Sequence, residues 1–522
     1  MPAARIVVDP AYVIGPLNRR LFGSFVEHLG RCVYDGIHEP GHPSADRDGF
    51  RTDVMDLVRE LGVTTIRYPG GNFVSGYRWE DGVGPRERRP RRLDLAWHSL
   101  ETNQVGLHEF AGWSSRVGAE LMLALNLGTR SVLEALDLLE YTNLRAGSAV
   151  AELRVANGSP DPFNVRMWCL GNEMDGPWQL GHRSAEDYGK IASRTAKAMR
   201  QMDPALELVA CGSSSRSMPT FGTWERVVLE HTRDDVDFIS CHAYYQERDG
   251  DRGSFLASAV DMDAFIEAVI ATADSVTSTL RSKRMINISF DEWNVWYSDH
   301  YNDGGKITGV ETWPYAPRLL EDQYSVTDAV VVGSLLICLL RHADRVKAAC
   351  LAQLVNVIAP IMTEPGGPAW RQAIFFPFAI TARLAQGRVL RLAVESPSYE
   401  TAEYGTVPLV DAVATMDDDG GDVAVFLVHR SLDAPTTVSI NVSSLGPVRL
   451  GEAITLADDD PTATNTLEHP ERVAPTPNRS GHIENGVLTI ELPAISWTAL
   501  QLVSDLGGRG PGQTHPDQSL PT

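Results

Sequence analysis

The feature that most constrains the fold is a series of eight short apolar segments, each separated from the next by a helical pattern or a long connection. Short runs rich in β-branched and aromatic residues are typical of buried strands. Strands that alternate with helices predict an α/β fold with a parallel sheet, and eight such units fit a closed (β/α)8 TIM barrel. The predicted strands are residues 20–28, 63–68, 121–127, 165–173, 206–211, 236–245, 285–292 and 347–356, and the predicted helices are residues 53–61, 107–119, 131–144, 185–202, 223–231, 262–280 and 325–342.

From about residue 385 the helical periodicity ends and short alternating strands begin, with turn residues between them. This pattern predicts a C-terminal antiparallel β-sandwich of the jelly-roll type. Residues 1–15 alternate like an edge strand, and we expect 6–8 to pair with the sandwich because the barrel has no place for it. The predicted division is a barrel over residues 16–384, a sandwich of residues 1–15 plus 385–506, and a tail, 507–522, with the composition of a disordered segment. The predicted strands of the sandwich are 409–415, 423–429, 437–442, 487–492 and 496–503.

Charge and hydropathy exclude several classes of partner. The chain of 522 residues has a formal net charge of -22, which argues against nucleic acid and anionic membranes as partners. No long apolar run follows a basic start, and the longest apolar run, 329–340, is too short to span a bilayer, so we expect a cytoplasmic protein without a signal peptide. The six cysteines are scattered without a CxxC pair or metal-ligand spacing, which favours buried free thiols.

Polar side chains gather where the predicted strands end, and in a (β/α)8 barrel the active site lies at the C-terminal ends of the strands. Two strands end in a glutamate: Glu173 closes MWCLGNE and Glu292 closes ISFDE. A carboxylate at the end of a buried strand is costly unless it is paired, hydrogen-bonded or protonated, so this placement suits a catalytic group. The other polar and aromatic residues at or just beyond strand ends are Glu27, His28, Arg67, Asn72, Asn172, His242, Tyr244, Asp291, Trp293, Gln353 and Asn356.

One glutamate taken alone is more often part of a structural ion pair, but two of them within a ring of Asn, Gln, His, Tyr and Trp favour sugar chemistry. Glycoside cleavage needs one carboxylic acid to protonate the leaving oxygen and a second carboxylate to attack the anomeric carbon or activate water. Strands four and seven face each other across a barrel, so we expect a retaining separation of about 5–5.5 Å. Glu173 is expected to hold the proton and Glu292 to stay ionised beside Arg67.

Long motifs along the chain resemble those of the family 51 glycoside hydrolases, the α-L-arabinofuranosidases. The similarity runs from near residue 5 to about 503 and is far more specific than the GNE or DEW triplets alone. The motifs are FGSFVEHLGRCVYDGI from Phe22, IRYPGGNFVSGYRWEDGVGP from Ile66, RRLDLAWHSLETNQVGLHEF from Arg91, WCLGNEMDGPWQLGH from Trp168, FDEWNVWY from Phe290, AQLVNVIAPIMTEPGGPAWRQAIFFPF from Ala352 and LPAISWTALQL near the end.

The resemblance implies a barrel with a jelly-roll sandwich, retention of configuration, no cofactor and no metal. It implies Glu173 as the acid/base and Glu292 as the nucleophile. It also implies an arabinofuranosyl oligosaccharide substrate, an intracellular location and a homo-oligomer, often a hexamer. The sugar-binding residues implied are Glu27, Arg67, Asn72, Asn172, His242, Tyr244 and Gln353, with Trp97 and Trp296 at the entrance. The basic run 86–92 has no such counterpart and is typical of a solvated loop, and the acidic cluster 417–422 is typical of a turn.

The favoured function is therefore an exo-glycosidase that removes terminal α-L-arabinofuranosyl residues from fragments of arabinan or arabinoxylan. Three alternatives stay open from the residues alone: another retaining barrel glycosidase such as an endo-β-glucanase or β-xylosidase, a non-catalytic carbohydrate-binding protein, and, as the weakest, a metal-dependent barrel hydrolase. We expect the loops after strands two and six to decide which linkage is cleaved.

Overall fold

A computed structural model describes residues 3–309 and 311–505, and in this part of the chain eight parallel strands close into a barrel. Each strand pairs with the next in sequence, and the eighth returns to the first through Cys350 opposite Gly23. All eight strands lie within or beside the predicted segments, so the (β/α)8 prediction is confirmed. Barrel strands 1 to 8 are Gly23–Phe25, Thr65–Tyr68, Glu120–Ala124, Met167–Cys169, Glu207–Ala210, Phe238–Tyr245, Asn287–Val295 and Val346–Ala352.

The helices that connect the barrel strands include all seven that the periodicity predicts, with ends shifted by at most a few residues. Helix Phe375–Leu384 was not predicted, because its apolar sequence has no amphipathic period and contains Pro377. That proline lies in the first turn, where its missing N–H has no helical partner to lose. The α-helices are Thr52–Leu61, Leu107–Val117, Val132–Asn143, Ala149–Ala156, Ala185–Met202, Thr223–Thr232, Arg252–Leu256, Ala259–Thr279, Ser298–His300, Val326–Arg341 and Phe375–Leu384.

Helix Val326–Arg341 accounts for the longest apolar run of the sequence. Every residue from Val326 to Leu340 is buried, because the helix lies between the barrel and four strands of the sandwich. A helix that is covered on all sides has no polar face, so it is apolar all round. The backbone of Gly333 lies against the indole of Trp497, where a Cβ would come within 2.2 Å of the ring. Within the described residues, no helix combines the length and apolar character needed to cross a bilayer.

The remaining strands form the two main sheets of a mostly antiparallel β-sandwich, as predicted for the C-terminal part. Strand Ala3–Val7 lies between two neighbours and pairs in parallel with Thr436–Asn441, so the expected pairing of residues 6–8 with the sandwich is confirmed. The edge-strand prediction for residues 1–15 was wrong for Ala3–Val7 and right for Val13–Pro16, which lies at the edge of the second sheet. The first sheet contains Ala393–Glu395, Ala3–Val7, Thr436–Asn441, Val487–Leu492 and His482–Glu484, and the second contains Val13–Pro16, Arg388–Leu390, Val410–Met416, Val423–His429, Ser496–Ser504, Val448–Leu456 and Thr476–Pro477.

Residues 417–422 join two antiparallel strands of the second sheet, as the predicted turn requires. The domain limits at residues 16, 385 and 506 stay a prediction, and the predicted disordered tail, 507–522, lies outside the described residues. Three two-stranded ribbons complete the strands: Arg92–Asp94 with Ser99–Glu101, Ile361–Thr363 with Ala369–Arg371, and Ser398–Thr401 with Gly405–Pro408.

A buried charge cluster joins the barrel to the sandwich. Arg430 donates to Asp411 Oδ2 at 3.1 Å and to Ser334 Oγ, in helix Val326–Arg341, at 2.8 Å. Arg341, at the end of that helix, donates to Asp411 Oδ1 at 2.5 Å. Burial alone would raise the pKa of Asp411, but Arg341 and Arg430 hold it below its ordinary value. The cluster therefore holds one carboxylate between two cations, and Asp411 is the anion that both arginines share.

We expect Asp411→Ala to lower the free energy of unfolding by about 3–5 kcal/mol, because it leaves two guanidinium groups without their shared anion. Thermal unfolding at neutral pH measures the effect, and Asp418→Ala, whose exposed carboxylate lies 3.6 Å from Arg388, is the matched control with a change below about 0.5 kcal/mol. Since a depressed pKa gives stability that is lost as the pH falls through it, the two variants should converge in acid. Equal midpoints at neutral pH would contradict the expectation.

Candidate active site

Barrel strand 7 places two adjacent carboxylates at the mouth of the barrel. Between Phe290 and Trp293 it has two residues where strand 8 has one, and its pairing with strand 6 shifts at the same place. Neighbouring residues of a regular strand point to opposite faces. This bulge changes the direction of the chain so that both Asp291 and Glu292 contact Arg67, at 4.0 and 2.7 Å. The strand thus supplies a pair of acidic groups from consecutive positions.

Glu292 is a buried carboxylate with two close hydrogen-bond donors. Arg67 Nη1 donates to Oε1 at 2.7 Å, and the hydroxyl of Tyr244 donates to Oε2 at 2.8 Å. Burial raises the pKa of Glu292 above its ordinary value, and the negative charge of Glu173 adds to this, while His242, Arg67 and the Tyr244 hydroxyl oppose it. The donors fix the orientation of the carboxylate and stabilise its ionised form.

Glu173 follows barrel strand 4 at a sharp change of chain direction. Gly171 has φ 101° and Glu173 itself has φ 43°, a conformation uncommon for a residue with a side chain. This turn directs the carboxylate toward strand 6, where Oε1 accepts a hydrogen bond from His242 Nδ1 at 2.8 Å. Oε2 accepts from the indole Nε1 of Trp178, also at 2.8 Å. Both oxygens of Glu173 therefore have a donor.

His242 connects the two glutamates. Its Nδ1 lies 2.8 Å from Glu173 and 3.6 Å from Glu292, and its Nε2 lies 2.9 Å from Asp291. Burial alone would lower the pKa of His242, but the charge of Glu292 and the hydrogen bonds to Asp291 and Glu173 raise it to about 10. The imidazole is therefore a cation that donates through both nitrogens. Oxygens of Glu173 and Glu292 lie within 4.8 Å of each other around it, close to the separation of carboxyl groups in retaining glycosidases.

Arg67, at the end of strand 2, forms hydrogen bonds with residues that follow strand 4 and lie in strand 7. Besides Glu292 it donates to Asn172 Oδ1 at 2.6 Å, and its guanidinium lies 4.9 Å from the ring centroid of Phe25. Asn172 in turn donates to Gln179 Oε1 at 3.5 Å. The Asn172 side chain is therefore held beside both glutamates, where an amide can bind a sugar hydroxyl.

Glu27 forms the second polar wall of the pocket. Its Oε1 accepts from the backbone N–H of Phe73 at 2.8 Å and from Trp97 Nε1 at 2.9 Å, and its Oε2 accepts from Gln353 at 3.2 Å. Burial raises the pKa of Glu27 to about 8, and the nearby charges of Glu292 and Asp94 add to it. A Cβ at Gly71 would lie 3.3 Å from oxygens of both Glu27 and Glu292, so glycine backbone forms the floor between them.

Asn72 lies in the turn that begins directly after Gly71. It is half-buried, and its neighbour Phe73 is the residue whose N–H binds Glu27. Its side chain makes no hydrogen bond within the described residues, so the amide is available to a ligand.

Aromatic rings line the entrance. Trp97 lies beyond ribbon strand Arg92–Asp94, and the ring of Tyr301 lies 6.0 Å from that of Trp97 and 6.4 Å from that of Trp296. Trp296 also packs edge-on against Tyr244 at 5.2 Å. The basic run 86–92 leads into this ribbon and is not wholly solvated, because the buried Arg89 side chain forms an ion pair with Glu109 at 2.8 Å. The three rings offer apolar faces on which a sugar can stack.

The structure brings the eleven sequence-predicted site residues to the same end of the barrel and adds three to which the sequence assigned no role: Asp291, Trp178 and Tyr301. Asp291 stood at a predicted strand end, and its position beside Glu292 was the available signal. The other two lie in loops, where a sequence pattern indicates no direction for the side chain.

Two groups of described residues bring three possible metal ligands together. One is Glu173, His242 and Glu292, where both ring nitrogens of His242 lie within hydrogen-bond distance of carboxylates, Nδ1 of Glu173 and Nε2 of Asp291. The other is Asp263, Cys338 and His342 beside helix Val326–Arg341. There the Asp263 oxygen accepts from His342 at 2.9 Å and lies 3.7 Å from Arg341, whose charge opposes a cation. Hydrogen bonding accounts for the contacts in both groups.

Removing the His242 cation should shift the pH dependence of turnover. Because His242 lowers the pKa of Glu292, His242→Gln should raise that pKa further. The predicted nucleophile Glu292 must be ionised to react, and its ionised fraction is lost as the pH falls through its pKa, so the acid limb of kcat/KM should move to higher pH. We also expect kcat/KM at the optimum to fall about 10²-fold. His231→Gln, which alters a pair with Glu186 away from the barrel mouth, is the control; an unmoved acid limb in His242→Gln would contradict the assignment.

Comparison with known proteins gives a consistent result. Residues 57–263 match the model of the α-L-arabinofuranosidase 1 domain, and residues 291–496 match that of the α-L-arabinofuranosidase C-terminal domain. An enzyme of Streptomyces lividans named intracellular exo-α-(1→5)-L-arabinofuranosidase is 57% identical over 98% of this chain and 77% of its own length. A Bifidobacterium longum enzyme named exo-α-(1→6)-L-arabinofuranosidase is 58% identical over 96% of this chain and 97% of its own.

A solved structure gives the same likeness. It is a family 51 α-L-arabinofuranosidase of Bifidobacterium longum, with a TM-score of 0.93 and 51% identity, and the match covers 96% of this chain and 99% of that one.

Proposed function

We propose the catalytic roles that follow from the family of this chain, which belongs to glycoside hydrolase family 51, the α-L-arabinofuranosidases. In this proposal Glu173 is the general acid/base and Glu292 is the nucleophile. The enzyme is an exo-acting α-L-arabinofuranosidase of a retaining family. The observation that supports these two roles best is the approach of the carboxyl groups to within 4.8 Å around His242, since an inverting enzyme needs more room for a water molecule.

In the first half of the reaction, the Glu292 carboxylate attacks the anomeric carbon of the arabinofuranosyl residue. As the bond from that carbon to the glycosidic oxygen breaks, the proton of Glu173 passes to the departing oxygen, and an ester forms between the sugar and Glu292. Arg67 and Tyr244 hold the attacking carboxylate in one orientation. They prepare it for attack without a change in conformation.

In the second half, Glu173 is a carboxylate and takes a proton from a water molecule, whose oxygen attacks the anomeric carbon. The ester bond breaks, and Glu292 leaves as a carboxylate again. Two inversions at one carbon give net retention. The His242 cation, which lies between the two glutamates, stabilises whichever of them carries the negative charge.

The other pocket residues bind the sugar in this proposal. Asn172 lies beside both glutamates, where its amide can bind the hydroxyl next to the anomeric carbon. Glu27, Gln353 and Asn72 offer hydrogen bonds to the remaining hydroxyls, and Trp97 and Trp296 offer apolar faces at the entrance.

The proposed substrates are arabino-oligosaccharides with α-(1→5) linkages, the linkage named for the Streptomyces lividans relative. The α-(1→6) linkage is a second candidate, because the relative named for it is equally similar at 58% identity. Several relatives are named intracellular enzymes, which supports the expected cytoplasmic location. We propose a homo-oligomer, by resemblance a hexamer, which sedimentation of the purified protein would test.

Hydrolysis of a panel of α-L-arabinofuranosyl disaccharides tests the proposed function, with arabinose as the acceptor for the α-(1→5) linkage and a hexose as the acceptor for the α-(1→6) linkage. We expect release of arabinose from the non-reducing end, fastest for α-(1→5), with the α-anomer formed first in the proton NMR spectrum. A preference for the α-(1→6) substrate would select the second candidate. A first-formed β-anomer would overturn the double displacement, and activity on aryl xylosides or β-glucans alone would favour another barrel glycosidase.

A further inference from the structure

Trp178 is a residue whose contact with Glu173 is not explained by sugar binding. Its indole N–H donates to Glu173 Oε2 at 2.8 Å, although 52% of the residue is exposed to solvent. A Cβ at Gly176 would come within 2.5 Å of the indole, so the ring lies directly over this glycine. The absence of a side chain at Gly176 allows the indole to reach the carboxylate.

The segment that carries Trp178 is anchored on both sides and exposed in the middle. Asp175 accepts from the backbone N–H of Ser214 at 3.0 Å, and Gln179 is buried beside Asn172. Only Pro177 and Trp178 between them are exposed. The indole can therefore turn into solvent without disturbing the residues that hold Glu173 in place.

The two oxygens of Glu173 are not equivalent. Oε1 accepts from His242, which is a cation with N–H groups directed at Glu173 and Asp291. The proton that Glu173 gives to the leaving oxygen therefore belongs on Oε2, the atom to which Trp178 donates. An N–H can only donate, and donation to a carboxylate favours its ionised form. The contact suits the stage at which Glu173 acts as a base and opposes the stage at which it acts as an acid.

We propose that Trp178 is a positioning residue that donates its indole N–H to ionised Glu173 during the second half of the reaction and releases Oε2 when Glu173 carries its proton. This proposal rests on the proposed role of Glu173. The indole moves no proton itself: in the first half the Glu173 proton goes to the leaving oxygen, and in the second half Glu173 takes one from the attacking water. Trp178 sets the balance between these two states of one carboxyl group.

Trp178→Phe tests the proposal, because it keeps an aromatic ring and removes the N–H. For 2,4-dinitrophenyl α-L-arabinofuranoside, whose leaving group needs no proton, the second half limits turnover, and we expect kcat to fall about 3–10-fold. For α-(1→5)-arabinobiose, kcat/KM at its optimum should stay within about twofold, and its alkaline limb should move to higher pH because the variant lacks the N–H that opposes the acid form. A loss in the second half with the first half retained is not expected from a merely structural role.

Leu180→Ala, at an exposed apolar position two residues away, is the matched control and should leave both profiles unchanged. In a Glu173→Ala background, Trp178→Phe should cause no further loss, because the indole acts through Glu173. If Glu173→Ala cleaves arabinobiose as fast as the parent enzyme, the proposed function itself fails. If Glu173→Ala is impaired but Trp178→Phe leaves the alkaline limb and the aryl-substrate kcat in place, only the Trp178 proposal is overturned.

Discussion

Glu292→Ala is expected to lower kcat/KM by about 10⁴–10⁶-fold on every arabinofuranoside, including those with activated leaving groups. In the proposed mechanism this carboxylate forms the bond to the anomeric carbon, so a better leaving group does not replace it. The substitution also leaves Arg67 and Tyr244 without the acceptor they share. Initial rates on an aryl substrate and on arabinobiose measure the loss, and Glu230→Ala, at an exposed helix position, is the control.

Adding azide as an external nucleophile tests the role of Glu292, because the anomeric configuration of the azide product shows how many displacements took place. In Glu292→Ala a small anion can enter the space left beside Gly71 and attack the anomeric carbon from the side opposite the leaving group. A single displacement gives the β-arabinofuranosyl azide. Formation of the α-azide, or turnover within tenfold of the parent enzyme, would show that another group is the nucleophile.

Glu173→Ala is expected to have the second largest effect, and one that depends on the leaving group. For arabinobiose, whose departing oxygen needs a proton, kcat/KM should fall about 10²–10⁴-fold. For the dinitrophenyl substrate the first half should proceed almost normally, and the sugar should accumulate as an ester on Glu292 because no base activates water. We therefore expect a burst of dinitrophenol and then slow turnover, and stopped-flow absorbance measures both phases.

Azide also distinguishes the role of Glu173 from that of Glu292, because the expected azide product has the opposite anomeric configuration. It needs no base, so it should attack the ester in Glu173→Ala, restore turnover and give the α-azide by a second inversion. The control is Glu186→Ala, whose exposed carboxylate binds Lys190 outside the barrel mouth. An equal loss on both substrates, without rescue by azide, would assign Glu173 a structural part instead.

Much of the fold was predictable because apolar runs locate buried strands and the barrel fixes which ends meet. Once eight strand–helix units are recognised, Glu173, Arg67 and His242 must lie at one mouth, whatever the exact strand limits. The roles of these residues came from the resemblance to family 51, since strand ends alone allow several chemistries.

The sequence was less informative where local geometry departs from regular alternation. The bulge at Asp291 and Glu292 turns two consecutive side chains toward Arg67, and a strict alternation would send one of them away. Trp178 reaches Glu173 because Gly176 has no side chain, and this contact crosses a turn that periodicity does not describe. The alternation of residues 1–15 predicts an edge strand, but Ala3–Val7 is an interior strand, because its partners lie about 390 and 430 residues away in the chain, where a local pattern gives no information.

The apolar helix Val326–Arg341 has a further consequence for how the enzyme can be divided. A chain cut before Val410 would leave one flank of this helix, rich in valine and leucine, facing water, and would remove the indole that fills the space over Gly333. Such a flank is a surface on which polypeptides aggregate. The sandwich therefore cannot be removed or exchanged as a tethered binding module can. Its strands cover the outer side of this helix and so complete the hydrophobic core of the catalytic barrel.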